Sequence, residues 1–107
     1  MYNYKKKQLE ITQLLRKLKM FDQELDIKFK EAFMKVSKMQ QDSLPQDIML
    51  RLYAYYKQAS YGSMSNMKYS NLDVRDAFKL NAWMQVSHLS IEEAKKSYID
   101  LVNEIVV

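Results

Sequence analysis

The sequence predicts an all-α fold, a body of four helices preceded by a basic amphipathic helical arm. Three observations predict it. The 107 residues contain one Gly, one Pro and no Cys. The turns of a sandwich or barrel, and any disulfide or zinc-thiolate framework, therefore have no residues to build them. Apolar side chains recur at three- and four-residue intervals along most of the chain rather than alternating. Apolar residues make up 48% and charged residues 28%, which suffices for one core and, at this length, for one domain.

The elements follow in order. Leu9, Ile11, Leu14, Leu15 and Leu18 form a helical stripe with lysines around it, a short basic amphipathic helix. Two readings stand side by side. In one, the arm packs on the body or on a second copy, or is simply a solvated extension. In the other, residues 1–20 make a transient contact with a membrane surface or a partner. A second helix is expected from about Asp26 to Gln40, with Phe29, Ala32, Phe33, Val36 and Met39 at helical spacing. Pro45 suits the first turn of a third helix, where a missing N–H costs nothing. That helix carries Ile48, Met49, Leu52, Tyr53, Tyr56 and Ala59 and closes at Gly62. Residues 63–72 are polar, lack a period and read as a loop. Asp73 caps a fourth helix bearing Ala77, Phe78, Leu80, Ala82, Trp83 and Val86. Ser90 and Glu93 form a capping box for the last helix, which shows Ala94, Tyr98, Leu101, Val102 and Ile105. We place the boundary between an extension over 1–24 and a helical domain over 25–107.

The formal net charge is +4. Residues 1–20 hold six basic side chains against Glu10, giving +5. Residues 21–107 hold eleven basic and twelve acidic side chains, giving −1. The basicity belongs to the arm, which argues against a nucleic-acid-binding body. The apolar stretch after Lys5, Lys6 and Lys7 is interrupted by Gln8, Glu10, Gln13 and Arg16, so neither a signal peptide nor a membrane span fits. A cytoplasmic location is expected.

One glycine cannot build a phosphate-binding loop, and a single histidine cannot build a His-rich metal site. His88 has no nearby nucleophile to activate, and Glu93 is accounted for by capping. No metal, cofactor or enzymatic activity is expected. The informative segment is Tyr53, Tyr56 and Lys57, which share a helical face at i, i+3 and i+4. Two phenol rings beside an ammonium suit a phosphorylated aromatic ligand, by stacking and by charged hydrogen bonds. The same residues also read as aromatic core with a lysine whose stem lies along it. Arg75 and Lys79 share a face on the fourth helix, and Tyr98 stands among Lys95, Lys96 and Ser97.

Tyr53-Ala54-Tyr55-Tyr56-Lys57-Gln58-Ala59 followed by Gly62 resembles the signature of acyl-CoA-binding proteins. Lys79-Leu80-Asn81-Ala82-Trp83, the stretch from Ser90 to Asp100, and Phe29 to Val36 resemble the family's other helices, in family order. The resemblance spans roughly Phe29 to Val107. It implies an antiparallel up-down-down-up four-helix bundle that binds long-chain acyl-CoA esters unaltered, as an intracellular carrier and pool buffer, and as a monomer. It implies that Tyr53 stacks on adenine, that Lys57 and Lys79 neutralise the ribose 3′-phosphate, and that Tyr56 and Tyr98 contact the nucleotide end. Arg75 would reach the phosphates, and Met49 and Leu50 would lie near the acyl groove. Two positions depart from the family pattern. Ser37 stands where a lysine is frequent, with Lys38 about 100° away around the helix, and Leu80 replaces a tryptophan. The alternative expectation is a helical interaction module of the same fold, with weakened or lost ligand binding, that acts through its basic arm.

Overall fold

The computed structural model describes residues 4–62 and 74–106, apart from the side chains of Tyr4, Gln41, Val74 and Arg75. The expected loop over 63–72 and the Asp73 cap lie outside the described residues. Four α-helices are present among them, with no strand: α1 (Tyr4–Ser37), α2 (Gln46–Tyr61), α3 (Val74–Gln85) and α4 (Ile91–Ile105). A 3₁₀ turn over Gln41–Ser43 joins α1 to α2.

The sequence reading divided α1 into an arm and a separate helix. The structure makes them one helix of 34 residues, about 50 Å long. The reason is local. No Gly or Pro interrupts residues 20–26, and the two apolar stripes share a phase, with Ile11, Leu18, Leu25 and Ala32 recurring every seventh residue. The helix ends three residues earlier than expected, at Ser37. Met39 N–H donates to the Val36 carbonyl at 3.0 Å, a three-residue bond that tightens the end of the helix.

Pro45 lies one position ahead of α2 as its N-cap. Its carbonyl accepts the first helical bond, from Met49 N–H, at 3.1 Å. Gly62 closes α2 with φ 72° and ψ −156°, a combination essentially restricted to glycine. The capping box of α4 forms as expected. Ser90 Oγ accepts from Glu93 N–H at 3.0 Å, and Glu93 Oε1 accepts from Ser90 N–H at 3.3 Å.

The side-chain pairings fix the topology. Asp26 meets Lys95 and Phe29 meets Tyr98, so α1 and α4 run the same way. Tyr53 meets Lys79 and Gln58 meets Trp83, so α2 and α3 run the same way. Gln58 also meets Leu89, just ahead of α4, while Tyr56 meets Tyr98 farther along it, so α2 opposes α4. The bundle is up-down-down-up. Its core joins Ala32, Leu52, Tyr98, Leu101 and Val102, with Phe29, Val36, Ile48, Tyr55 and Tyr56 packed around them. Leu80 and Trp83 bury a second cluster against Val86.

One buried polar side chain links the two clusters. Gln58, 1% exposed, accepts from Trp83 Nε1–H at 2.9 Å. Its Nε2 donates to the carbonyls of Leu89 at 2.8 Å and Ser87 at 3.3 Å. An unsatisfied amide in that position would cost about 1–3 kcal/mol. Gln58 thereby holds α3 and the turn before α4 at a fixed distance from α2.

Candidate ligand-binding site

Met49, Tyr53, Tyr56, Lys57 and Ser60 recur along α2 at helical spacing, so they form one stripe. The stripe opens between α1 and α3. On the α3 side, Lys79 Nζ lies 5.4 Å from the centre of the Tyr53 ring. Lys57 Nζ lies 5.8 Å from the same ring, 4.8 Å from Tyr61 and 6.0 Å from Trp83. Two ammonium groups from two helices thus converge on one phenol ring. Like charges repel, so the convergence raises the local positive potential and suits a polyanion. Cation–π attraction to three rings holds the Lys57 ammonium in place. The Tyr53 hydroxyl is pushed above its ordinary pKa, first by burial and then by the Asp76 carboxylate. It therefore remains a neutral donor and acceptor at physiological pH.

On the α1 side, Tyr56 stacks on Phe33 at 5.0 Å and on Phe29 at 5.9 Å. These rings line a cleft of about 540 Å³ together with Lys30, Met34, Ala59 and Ser60. Asp26 and Lys95 also line the cleft, joined by an ion pair of Lys95 Nζ with Asp26 Oδ1 at 2.6 Å. Tyr98 lies beneath this aromatic floor. Its ring contacts Phe29 at 5.1 Å and Tyr56 at 6.1 Å, and it is 2% exposed. Burial, and then Tyr56, push its pKa up to about 12.

The structure therefore brings Tyr53, Lys57 and Lys79 together, and sets Tyr56 beside them as the wall of the larger cleft. Tyr98 supports Tyr56 from below and does not line the cleft. Met49 is exposed on the stripe. Leu50 instead lines a second cleft of about 390 Å³ between α2 and α3, with Ala54, Phe78 and Asn81. Arg75 falls in the first turn of α3, with its side chain outside the described residues. The Ser37 hydroxyl donates to the Phe33 carbonyl at 2.8 Å. Leu80 is 8% exposed beside Trp83 and lies in the core.

Sequence reasoning did not assign Phe29, Phe33, Lys30 or Tyr61 to the site. A signal existed for Tyr61, which follows Lys57 by four residues and so lies over it on the helix. Phe33 gave no such signal, because its partner Tyr56 is 23 positions away.

Residues 26–102 match the profile of the acyl CoA binding protein family. The chain belongs to the acyl-CoA-binding protein family. The acyl-CoA-binding protein of Saccharomyces cerevisiae is 38% identical over 60 residues, covering 56% of this chain and 69% of the yeast protein. Acyl-CoA-binding domain-containing protein 2 of Oryza sativa is 32% identical over 75 residues, covering 70% of this chain and 82% of the rice protein. The crystal structure of Oryza sativa acyl-CoA-binding protein 2 superposes with a TM-score of 0.74 at 28% sequence identity, covering 81% of this chain and 94% of that one. The same module is found within longer proteins. Enoyl-CoA delta isomerase 2 of Rattus norvegicus is 34% identical over 77 residues, which are 19% of its length. Residues 1–25, which include most of the N-terminal half of α1, lie ahead of the matched span.

Proposed function

We propose that this chain binds long-chain acyl-CoA esters without altering them, and serves as a cytoplasmic, monomeric carrier and buffer of the acyl-CoA pool. The observation that carries this reading is the convergence of Lys57 and Lys79 on Tyr53 beside an aromatic-lined cleft. An acyl-CoA joins a polyanionic nucleotide to an apolar chain, and this arrangement offers both halves a surface. In this reading Tyr53 stacks on the adenine, and Lys57 and Lys79 neutralise the ribose 3′-phosphate. Tyr56 borders the nucleotide, with Tyr98 behind it. Arg75 reaches the remaining phosphates, Met49 lies along the acyl chain from the stripe, and Leu50 meets it from the cleft between α2 and α3. The binding domain is residues 25–107, preceded by a basic amphipathic extension over residues 1–24. The names and profile of the family support acyl-CoA as the ligand.

The two halves of the ligand contribute differently. Each buried methylene stabilises the complex by about 0.8 kcal/mol, so the chain governs affinity. A charged hydrogen bond contributes about 1.5–3 kcal/mol, so the lysines govern preference for the CoA ester over the free acid. The test is a calorimetric titration of the full chain with palmitoyl-CoA below its micelle concentration, with free palmitate as competitor. One-to-one saturable binding, with palmitate far weaker, is the expected result. Equal affinity for palmitate would make the protein a general fatty-acid binder. No binding by folded protein would favour an interaction module of the same fold that works through its arm.

A further inference from the structure

The first half of α1 carries an apolar face on which, among the described residues, nothing is packed. Residues 5–24 are exposed throughout. Ile11, Leu14, Leu15, Leu18 and Phe21 are each at least half exposed. Their placement is not random. Leu25, Phe29, Ala32 and Val36 make the seam along which α1 packs on α4, and Ile11, Leu14, Leu18 and Phe21 continue that seam toward the N-terminus at the same helical phase. Because α1 and α4 run the same way, α4 begins alongside Phe21 and Leu25, which form a shallow cleft with Glu92 and Lys96. Beyond that point the seam runs past the end of the body.

Charge decides what can cover it. Lys5, Arg16 and Lys19 project from the arc opposite the seam, Lys6 and Lys17 flank it, Lys7 lies in line with it one turn before Ile11, and Glu10 is the one acidic residue among residues 1–20. A second copy laid along the seam would enclose Lys7 and set the flanking Lys6 and Lys17 of both copies along the border of one interface, where like charges repel. An anionic surface would be attracted by the same charges, and a basic amphipathic helix lies in a bilayer interface in this manner. Among the described residues, no helix is long and apolar enough to cross a membrane.

We propose that residues 5–21 of α1 dock lengthwise on the surface of an anionic lipid bilayer. Ile11, Leu14, Leu18 and Phe21 enter the boundary between headgroups and acyl chains, the flanking Lys6 and Lys17 reach lipid phosphates, and the basic residues on the far arc add long-range attraction. About 25 Å of helix would be laid down, with the body held at its C-terminal end. The proposal is independent of acyl-CoA binding and would stand if that reading failed.

The test is sedimentation of the full chain with vesicles of phosphatidylcholine alone and of phosphatidylcholine mixed with phosphatidylserine, with no acyl-CoA present. Binding to the mixed vesicles is expected to be at least roughly tenfold tighter than to phosphatidylcholine alone, and to weaken with added salt. The double substitution Leu14→Glu/Leu18→Glu should reduce it by at least roughly tenfold while leaving the helical circular-dichroism signal and the melting temperature unchanged, because both side chains are exposed. Lys6→Glu/Lys17→Glu should reduce binding to the mixed vesicles selectively. Equal partitioning onto both vesicles, no partitioning, or indifference to the leucine substitutions would overturn the proposal. So would a dimer in analytical ultracentrifugation that the leucine substitutions dissociate, which would identify the seam as a self-association surface.

Discussion

The Lys57 ammonium is held by three aromatic rings and shares one of them with Lys79. For a proposed phosphate-binding lysine this arrangement lowers the cost of ordering a long side chain before the ligand arrives. Lys57→Ala is expected to weaken palmitoyl-CoA binding at least about tenfold, through loss of a charged hydrogen bond, and Tyr53→Ala by a similar factor through loss of a stacking surface. Tyr61→Ala removes only the nearest of the three rings and should weaken binding a few-fold, in keeping with about 0.5–1 kcal/mol for an exposed cation–π contact. Titration calorimetry of the three variants checks this order. If Lys57→Ala and Tyr53→Ala both bind within a factor of two of the parent, the site is misassigned. Tyr53 and Lys57 were legible in the sequence because both belong to one helix and share its face. Lys79 became their neighbour only when α2 and α3 packed in parallel, a relation fixed by Gln58 and Trp83.

Among the elements, α4 and α1 differ in how their ends are set. The start of α4 is written in four consecutive residues, since Ser90 and Glu93 satisfy each other's backbone N–H groups. Ser90→Ala should lower stability by about 0.5–2 kcal/mol without changing ligand affinity, because the cap lies away from Tyr53 and Lys57. Urea denaturation gives the first quantity and titration the second. A loss of affinity at unchanged stability would show that the cap positions the site rather than the helix. The α1 helix shows the opposite case. Apolar periodicity identified both of its halves but not their continuity, since a period reports which face is buried and not whether the chain bends. The absence of a breaker between residues 20 and 26 let the helix run on. Once continuous, its N-terminal stripe met no partner among the described residues.

At the scale of the whole molecule, the bundle has a long axis of 67 Å because α1 outruns its neighbours. The larger of its two buried clusters lies where α1, α2 and α4 meet, around Ala32, Leu52, Tyr98 and Val102. Tyr98 makes that core sensitive to alkali. Burial raises its pKa from 10.0 to about 12, so the folded state holds a phenolic proton that the unfolded state releases earlier. Its contribution is intact below pH 10 and is lost as pH rises toward 12, by roughly 2–3 kcal/mol in full. Urea denaturation across that window should show the parent losing more stability than Tyr98→Phe, which has no phenolic proton to release. Parallel pH profiles for the two proteins would contradict a buried, neutral Tyr98.

The sequence by itself determined the fold class, the position of α2, the α4 capping box, the basic character of residues 1–20 and the resemblance that the family profile bears out. These features are set by neighbours within one turn or by composition, where propensity, capping and charge act locally. Tertiary packing decided the rest. It turned Tyr98 into a core support for Tyr56, paired Phe33 with Tyr56, set Leu50 in a cleft with α3 while Met49 stayed exposed, and buried Leu80 with Trp83. Each of these depends on which helix lies against which face. That choice is made by burial of apolar surface between residues far apart in the chain, and no local pattern encodes it.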